Sequence, residues 1–141
     1  MSTVVKNTPI GLVFPLRDGA KSGYFDQSYD SFTAYRMNII NLLRTVPGER
    51  RMNPTFGSRL WNVVFEPNDS LVSDKINQII KEDIAEWIPG VSVTSVRVKY
   101  DDNQTVSQQT DTYKLYIAVA YVVDSIKQED VVDIVLNTGK I

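Results

Sequence analysis

The residues best placed to do chemistry are two carboxylates set among aromatic side chains, Glu49 and Glu66, with Trp61 and Phe65 close by in the chain. Hydrolysis of a glycosidic bond needs such a pair: one carboxyl kept protonated in an apolar pocket and a second, ionised, across a sugar-sized gap. The immediate neighbours argue against it. Glu49 precedes Arg50 and Arg51, and guanidinium groups that close favour a charged carboxylate, whereas a general acid must hold its proton. The same adjacency suits a structural ion pair or a partner contact. Glu66, just before Pro67, reads as a helix-end residue. No catalytic residue is expected.

Composition removes most other chemistry. Among 141 residues there is no cysteine and no histidine, so disulfides, thiolate metal sites, cysteine nucleophiles and the commonest near-neutral proton shuttle are absent together. That fits reducing cytoplasm. Fifteen basic against seventeen acidic residues give a net charge of -2, which offers no broad attraction to nucleic acid. Apolar runs such as Ile117 to Val123 fall far short of the ~20 residues of a membrane-spanning helix, and the N-terminus lacks a signal-peptide cleavage pattern. Gly11, Gly19 and Gly23 have no nucleotide-fingerprint spacing. Asp101, Asp102 and Asn103 lack the rest of a calcium loop and read as a turn. No metal and no cofactor is expected.

The elements that would position these side chains follow from periodicity. Pro9 and Pro15 forbid a long helix in the first residues, so Met1 to about Asp18 is an extended arm whose Ile10, Leu12, Val13, Phe14 and Leu16 need a surface. That surface is either its own domain or a neighbour. Asp30 or Ser31 caps a helix running to about Thr45, with Phe32, Tyr35, Ile39, Leu42 and Leu43 at steps of three and four. Pro47-Gly48 stops it, Asn53-Pro54 makes another turn, and Gly57-Ser58 opens a short helix carrying Leu60, Trp61, Val64 and Phe65. A third helix opens at Asp69 or Ser70, buries Val72, Ile76, Ile79, Ile80, Ile84 and Trp87, and ends at Pro89-Gly90. From Val91 the period is two, with a bulge near Thr94-Ser95. Asp101 to Asp111 is a hairpin loop, Tyr113 to Val123 a strand, Asp124 to Asp130 a turn, and Val131 to Leu136 a last strand.

The segment from Leu42 to Glu66 is more specified than a generic loop needs. Leu42-Leu43, Thr45, Pro47-Gly48-Glu49-Arg50, Asn53-Pro54, Phe56-Gly57, Leu60 and Phe65-Glu66 resemble the gene-25-like family of baseplate wedge proteins from contractile phage tails. That family also includes a baseplate subunit of type VI secretion systems. Gly11-Leu12, Phe14-Pro15-Leu16 and Gly23-Tyr24-Phe25 extend the resemblance upstream, so it covers most of the chain. The family is often catalogued under a lysozyme-like name, which makes a peptidoglycan hydrolase of the tail the alternative. One departure stands out: where many members carry Glu-Pro-Arg after the long helix, this chain has Ile88-Pro89-Gly90. No ion pair is carried over there, and the change favours a phage or phage-derived tail over the secretion branch.

The expected fold is α+β: two main amphipathic helices and a short one packed on a C-terminal mixed or antiparallel sheet, with residues 1–23 as the arm and 24–141 as a single wedge domain. The resemblance implies a structural subunit in the tail baseplate of the virion, assembled in the host cytoplasm. It would join other baseplate wedge proteins, the tail sheath protein and, further, tail tube or hub proteins. Its sheet would nucleate sheath assembly through an exposed edge of the Tyr113–Val123 and Val131–Leu136 strands, which could accept a strand from a sheath subunit. The expected partner-binding residues are Pro47, Gly48, Glu49, Arg50, Phe56, Gly57, Trp61, Val131, Ile134 and Leu136.

Overall fold

In the computed structural model, residues 9–19, 25–63, 70–100 and 114–137 are described. The expected hairpin loop Asp101 to Asp111, Tyr24, Tyr113 and the Val64 to Asp69 segment with Glu66 lie outside them. The order is β1 (Gly11–Leu12), β2 (Gln27–Ser28), α1 (Ser31–Arg44), α2 (Leu60–Val63), α3 (Ser70–Trp87), β3 (Val91–Tyr100), β4 (Lys114–Val123) and β5 (Gln128–Asn137). The fold is α+β, and its C-terminal sheet is antiparallel throughout, in the order β3-β4-β5.

Asp30 is the N-cap of α1: its Oδ1 accepts the Thr33 N–H at 2.7 Å, satisfying one of the helix's orphan donors. The helix ends at Thr45, whose hydroxyl donates back to the Asn41 carbonyl at 2.6 Å. Met37, Ile39, Leu42 and Leu43 are buried along one face. α3 contributes Val72, Ile76, Ile80 and Ile84, and the sheet contributes Leu115, Ile117, Val119, Tyr121 and Val123 from β4 with Val132, Ile134 and Leu136 from β5. Alternation fixes the register. A one-residue slip of β5 would expose Val132, Ile134 and Leu136 together, each worth about 1.5–3 kcal/mol when buried. The expected bulge is present as a register shift between Val93 and Ser95.

One boundary moves. The last turn is shorter than expected, Asp124 to Lys127, so β5 already begins at Gln128. Lys127 adopts φ +52° and donates its N–H to the Val123 carbonyl at 2.7 Å, which closes the tight connection. Of the two strands expected to offer an exposed edge, the one ending at Val123 is central, flanked by β3 and β5, so β5 is the one at the edge.

The described part of the arm packs on its own domain. Gly11 and Leu12 pair with Ser28 and Gln27, and the Phe14 N–H points at Met37 Sδ on α1 at 3.1 Å. One carboxylate ties α1 to the sheet. Asp130 Oδ2 accepts from Arg36 Nη1 at 2.8 Å and from the Tyr121 hydroxyl at 3.0 Å. Burial, and then that hydrogen bond to Asp130, push the Tyr121 phenol above its ordinary value.

Candidate functional site

The turn after α1 is braced by its own backbone. Glu49 N–H donates to the Val46 carbonyl at 3.1 Å, Gly48 N–H to Pro54 at 2.8 Å, Asn53 N–H to Arg50 at 3.2 Å, and Phe56 N–H to Asn53 at 3.1 Å. Ser58 N–H closes the base onto the Thr45 carbonyl at 3.0 Å. Gly57 sits where the two ends of the turn touch. A Cβ there would lie 2.7 Å from Pro47 N and 2.8 Å from the Thr45 carbonyl oxygen, and its φ of +139° is one that side chains rarely adopt.

Pro47, Gly48, Glu49, Arg50, Phe56 and Gly57 are thus brought together on one element. Of the two roles expected of Glu49, an ion pair or a partner contact, the ion pair is not formed among the described residues. Among the described residues its Oε2 instead accepts the Val46 N–H at 3.0 Å, because the tight turn aims the carboxylate at the backbone before either arginine can reach it. Arg50 turns the other way: its guanidinium carbon lies 3.9 Å from the Phe56 ring centroid, and Phe56 meets Trp87 of α3 edge-on at 5.3 Å. The cation is held in place by a ring that is itself wedged against a helix. Met52, not among the expected contacts, is 99% exposed within this turn. No periodicity marks it, since its neighbours Arg51 and Asn53 are polar.

A second group that the sequence reading missed anchors the base of the turn. Asp83, in the C-terminal half of α3 and 1% exposed, accepts from Ser58 Oγ at 2.8 Å and Arg59 N–H at 3.0 Å through Oδ2, and from Arg59 Nε at 2.8 Å through Oδ1. Arg59 Nη2 also reaches Glu82 Oε2 at 2.8 Å. These hydrogen bonds, Asp83's first, push the guanidinium further above its ordinary value, while Gln78 and then Arg59 hold Glu82 below the usual carboxylate range. A signal existed: Asp83 falls three residues after Ile80 and seven after Ile76, on the apolar stripe, where an aspartate must have a partner. Trp61, on α2, is half-buried, and its indole N–H is buried without a partner among the described residues.

The remaining expected contacts lie on β5. Val131 is 48% exposed, whereas Ile134 and Leu136 turn their side chains into the core. Their strand is at the edge of the sheet among the described residues. Among the described residues no group of His, Cys, Asp and Glu is arranged to hold a metal, and no helix is long and apolar enough to cross a membrane.

A family model described as baseplate wedge protein gp25 matches residues 35–128, more than half of the chain, from within α1 to the first residue of β5. No curated protein matches the sequence. Among solved structures, a protein of Geobacter sulfurreducens provisionally called a tail lysozyme is 22% identical with a TM-score of 0.63, over 79% of this chain and 94% of its own. A chain of the anti-feeding prophage baseplate is 21% identical with a TM-score of 0.64, over 80% of this chain and 83% of its own. At these identities the likeness is one of fold.

Proposed function

The chain belongs to the baseplate wedge protein gp25 family, and from that premise we propose that it joins wedge proteins to one another and nucleates the tail sheath. Its place on this reading is the tail baseplate of a virion, as a structural subunit. The observation that carries the proposal is the family match itself, because residues 35–128 contain both the braced turn and the central strand of the sheet.

The turn provides the wedge contact. A surface that binds without reordering loses little conformational entropy, and here the backbone bonds, Gly57 and the Arg50–Phe56–Trp87 stack fix the turn beforehand. Met52 supplies an apolar tip, with Arg50 and Arg51 beside it. The sheath contact is the β5 edge, whose outer backbone pairs with no other strand among the described residues and templates one further strand. Residues 24–141 act as the wedge domain on this reading, and residues 1–23 form its N-terminal arm. We assign the chain no reaction, since the family is one of structural proteins and the provisional lysozyme name belongs to a neighbour alike in fold.

Co-expression with the wedge proteins encoded beside it tests the first half. The full chain is expected to co-purify with them, and Met52→Asp should break the complex without unfolding the protein. A folded chain that binds none of its neighbours would remove the reading.

A further inference from the structure

The helices cover one face of the main sheet, and the opposite face carries three stripes of different chemistry. Its centre is β4, with Tyr116, Ala118, Ala120 and Val122 in sequence. Beside them on β3 stand Lys99, Arg97, Ser95 and Ser92, and on β5 stand Val135, Asp133, Val131 and Glu129. One flank is therefore basic, the floor is small and apolar, and the other flank is acidic with two valines. Tyr116 and Val135, directly paired, are each 41% exposed. Arg97, Lys99, Glu129 and Asp133 are all exposed, and none is ion-paired with another described residue.

The dimensions are those of one helix. Strands ~4.8 Å apart put β3 and β5 about 10 Å from each other, against a helix diameter of about 10–12 Å. From Tyr116 to Val122 the floor runs about 20 Å, the length of roughly thirteen helical residues. Alanines at its centre let a helix axis approach. A second copy laid flat on so narrow a strip would fall well short of the ~800 Å² per partner of a standard interface.

We propose that this face seats a single amphipathic helix of three to four turns from a partner protein. Its apolar stripe lies on Ala118 and Ala120, its acidic flank over Arg97 and Lys99, and its basic flank over Glu129 and Asp133. The unlike flanks set the helix's direction, because reversing it would bring like charges together. The β5 edge stays open beside it, so this partner and an added strand can be held at once. The site goes beyond the wedge and sheath contacts and stands or falls separately from them.

The test uses the full chain, isotopically labelled, and a synthetic helix about 16 residues long, with leucine and alanine on one stripe, glutamate along one flank and lysine along the other. Amide shifts are expected at 95–99, 116–122 and 129–135. Arg97→Glu with Lys99→Glu, which makes both flanks acidic, should weaken binding at least about threefold. Adding Glu129→Lys and Asp133→Lys, which exchanges the two flanks, should restore it with the peptide reversed, read from a spin label at its N-terminus. Ala120→Arg should abolish binding while the spectrum stays that of the folded protein. The proposal is overturned by shifts elsewhere or none, by a peptide with two acidic flanks binding equally well, by the Arg97→Glu, Lys99→Glu variant binding unchanged, or by self-association of the chain through this face.

Discussion

Asp83 holds Arg59 through both carboxylate oxygens, Oδ2 on the backbone N–H at 3.0 Å and Oδ1 on Nε at 2.8 Å. The base of the turn and the long helix α3 are therefore joined by a buried charge, with Ser58 as a third ligand.

Removing that charge leaves buried donors without partners. Asp83→Ala is expected to cost about 3 kcal/mol. Arg59→Ala leaves the buried carboxylate without its cation and should cost a comparable amount, whereas Glu82→Ala, which removes only an exposed partner of Arg59, should cost little. Urea unfolding of the three variants checks the order, and a loss for Glu82→Ala equal to that for Asp83→Ala would contradict the role given to the buried carboxylate.

Gly57 makes a different demand on the same turn. Gly57→Ala places a Cβ against Pro47 N and the Thr45 carbonyl at a φ that disfavours it, with an expected loss of about 1–3 kcal/mol. Gly48→Ala meets no atom within 4 Å but still carries a φ of +99°, so its loss should be smaller. Thermal unfolding of the pair separates crowding from backbone strain.

Asp30 gives a pH signature. The Thr33 N–H holds its carboxyl below the usual carboxylate value, so its folded-state value is depressed. The contribution is then fully present above that usual value, about 3.9, and is lost as pH falls through the depressed one. Asp30→Ala should cost about 1 kcal/mol near neutrality and progressively less in acid. Asp30→Asn should keep the cap throughout. A penalty for Asp30→Ala that stayed constant into acid would exclude the charged cap.

These devices were unequally legible in the sequence. The stripe of α1 and the alternation of β4 announce themselves because each is a local period, Phe32-Tyr35-Ile39-Leu42 in one and Leu115-Ile117-Val119-Tyr121 in the other. Strand order was not announced: Val and Ile fit both a central and an edge strand, so which of β4 and β5 lies at the edge stayed open. The ties of Asp83 to Arg59 and of Asp130 to Arg36 span 24 and 94 residues, and no local pattern connects their ends. Glu49 was read from its sequence neighbours, and turn geometry gave it the Val46 N–H instead. The two-residue ladder of Gly11–Leu12 with Gln27–Ser28 was too short to carry any period.

The central claim is that the β5 edge starts the sheath. The most direct measurement is electron microscopy of sheath protein with wedge complexes containing the wild-type chain, Val131→Pro or Asp133→Pro, scored only for variants that unfold thermally like the wild type. Ile134→Pro is unsuitable because Ile134 is a core side chain. The account predicts sheath rings or tubes growing from wild-type complexes and none from complexes whose edge is blocked. Sheath that starts equally well from folded proline variants would contradict it.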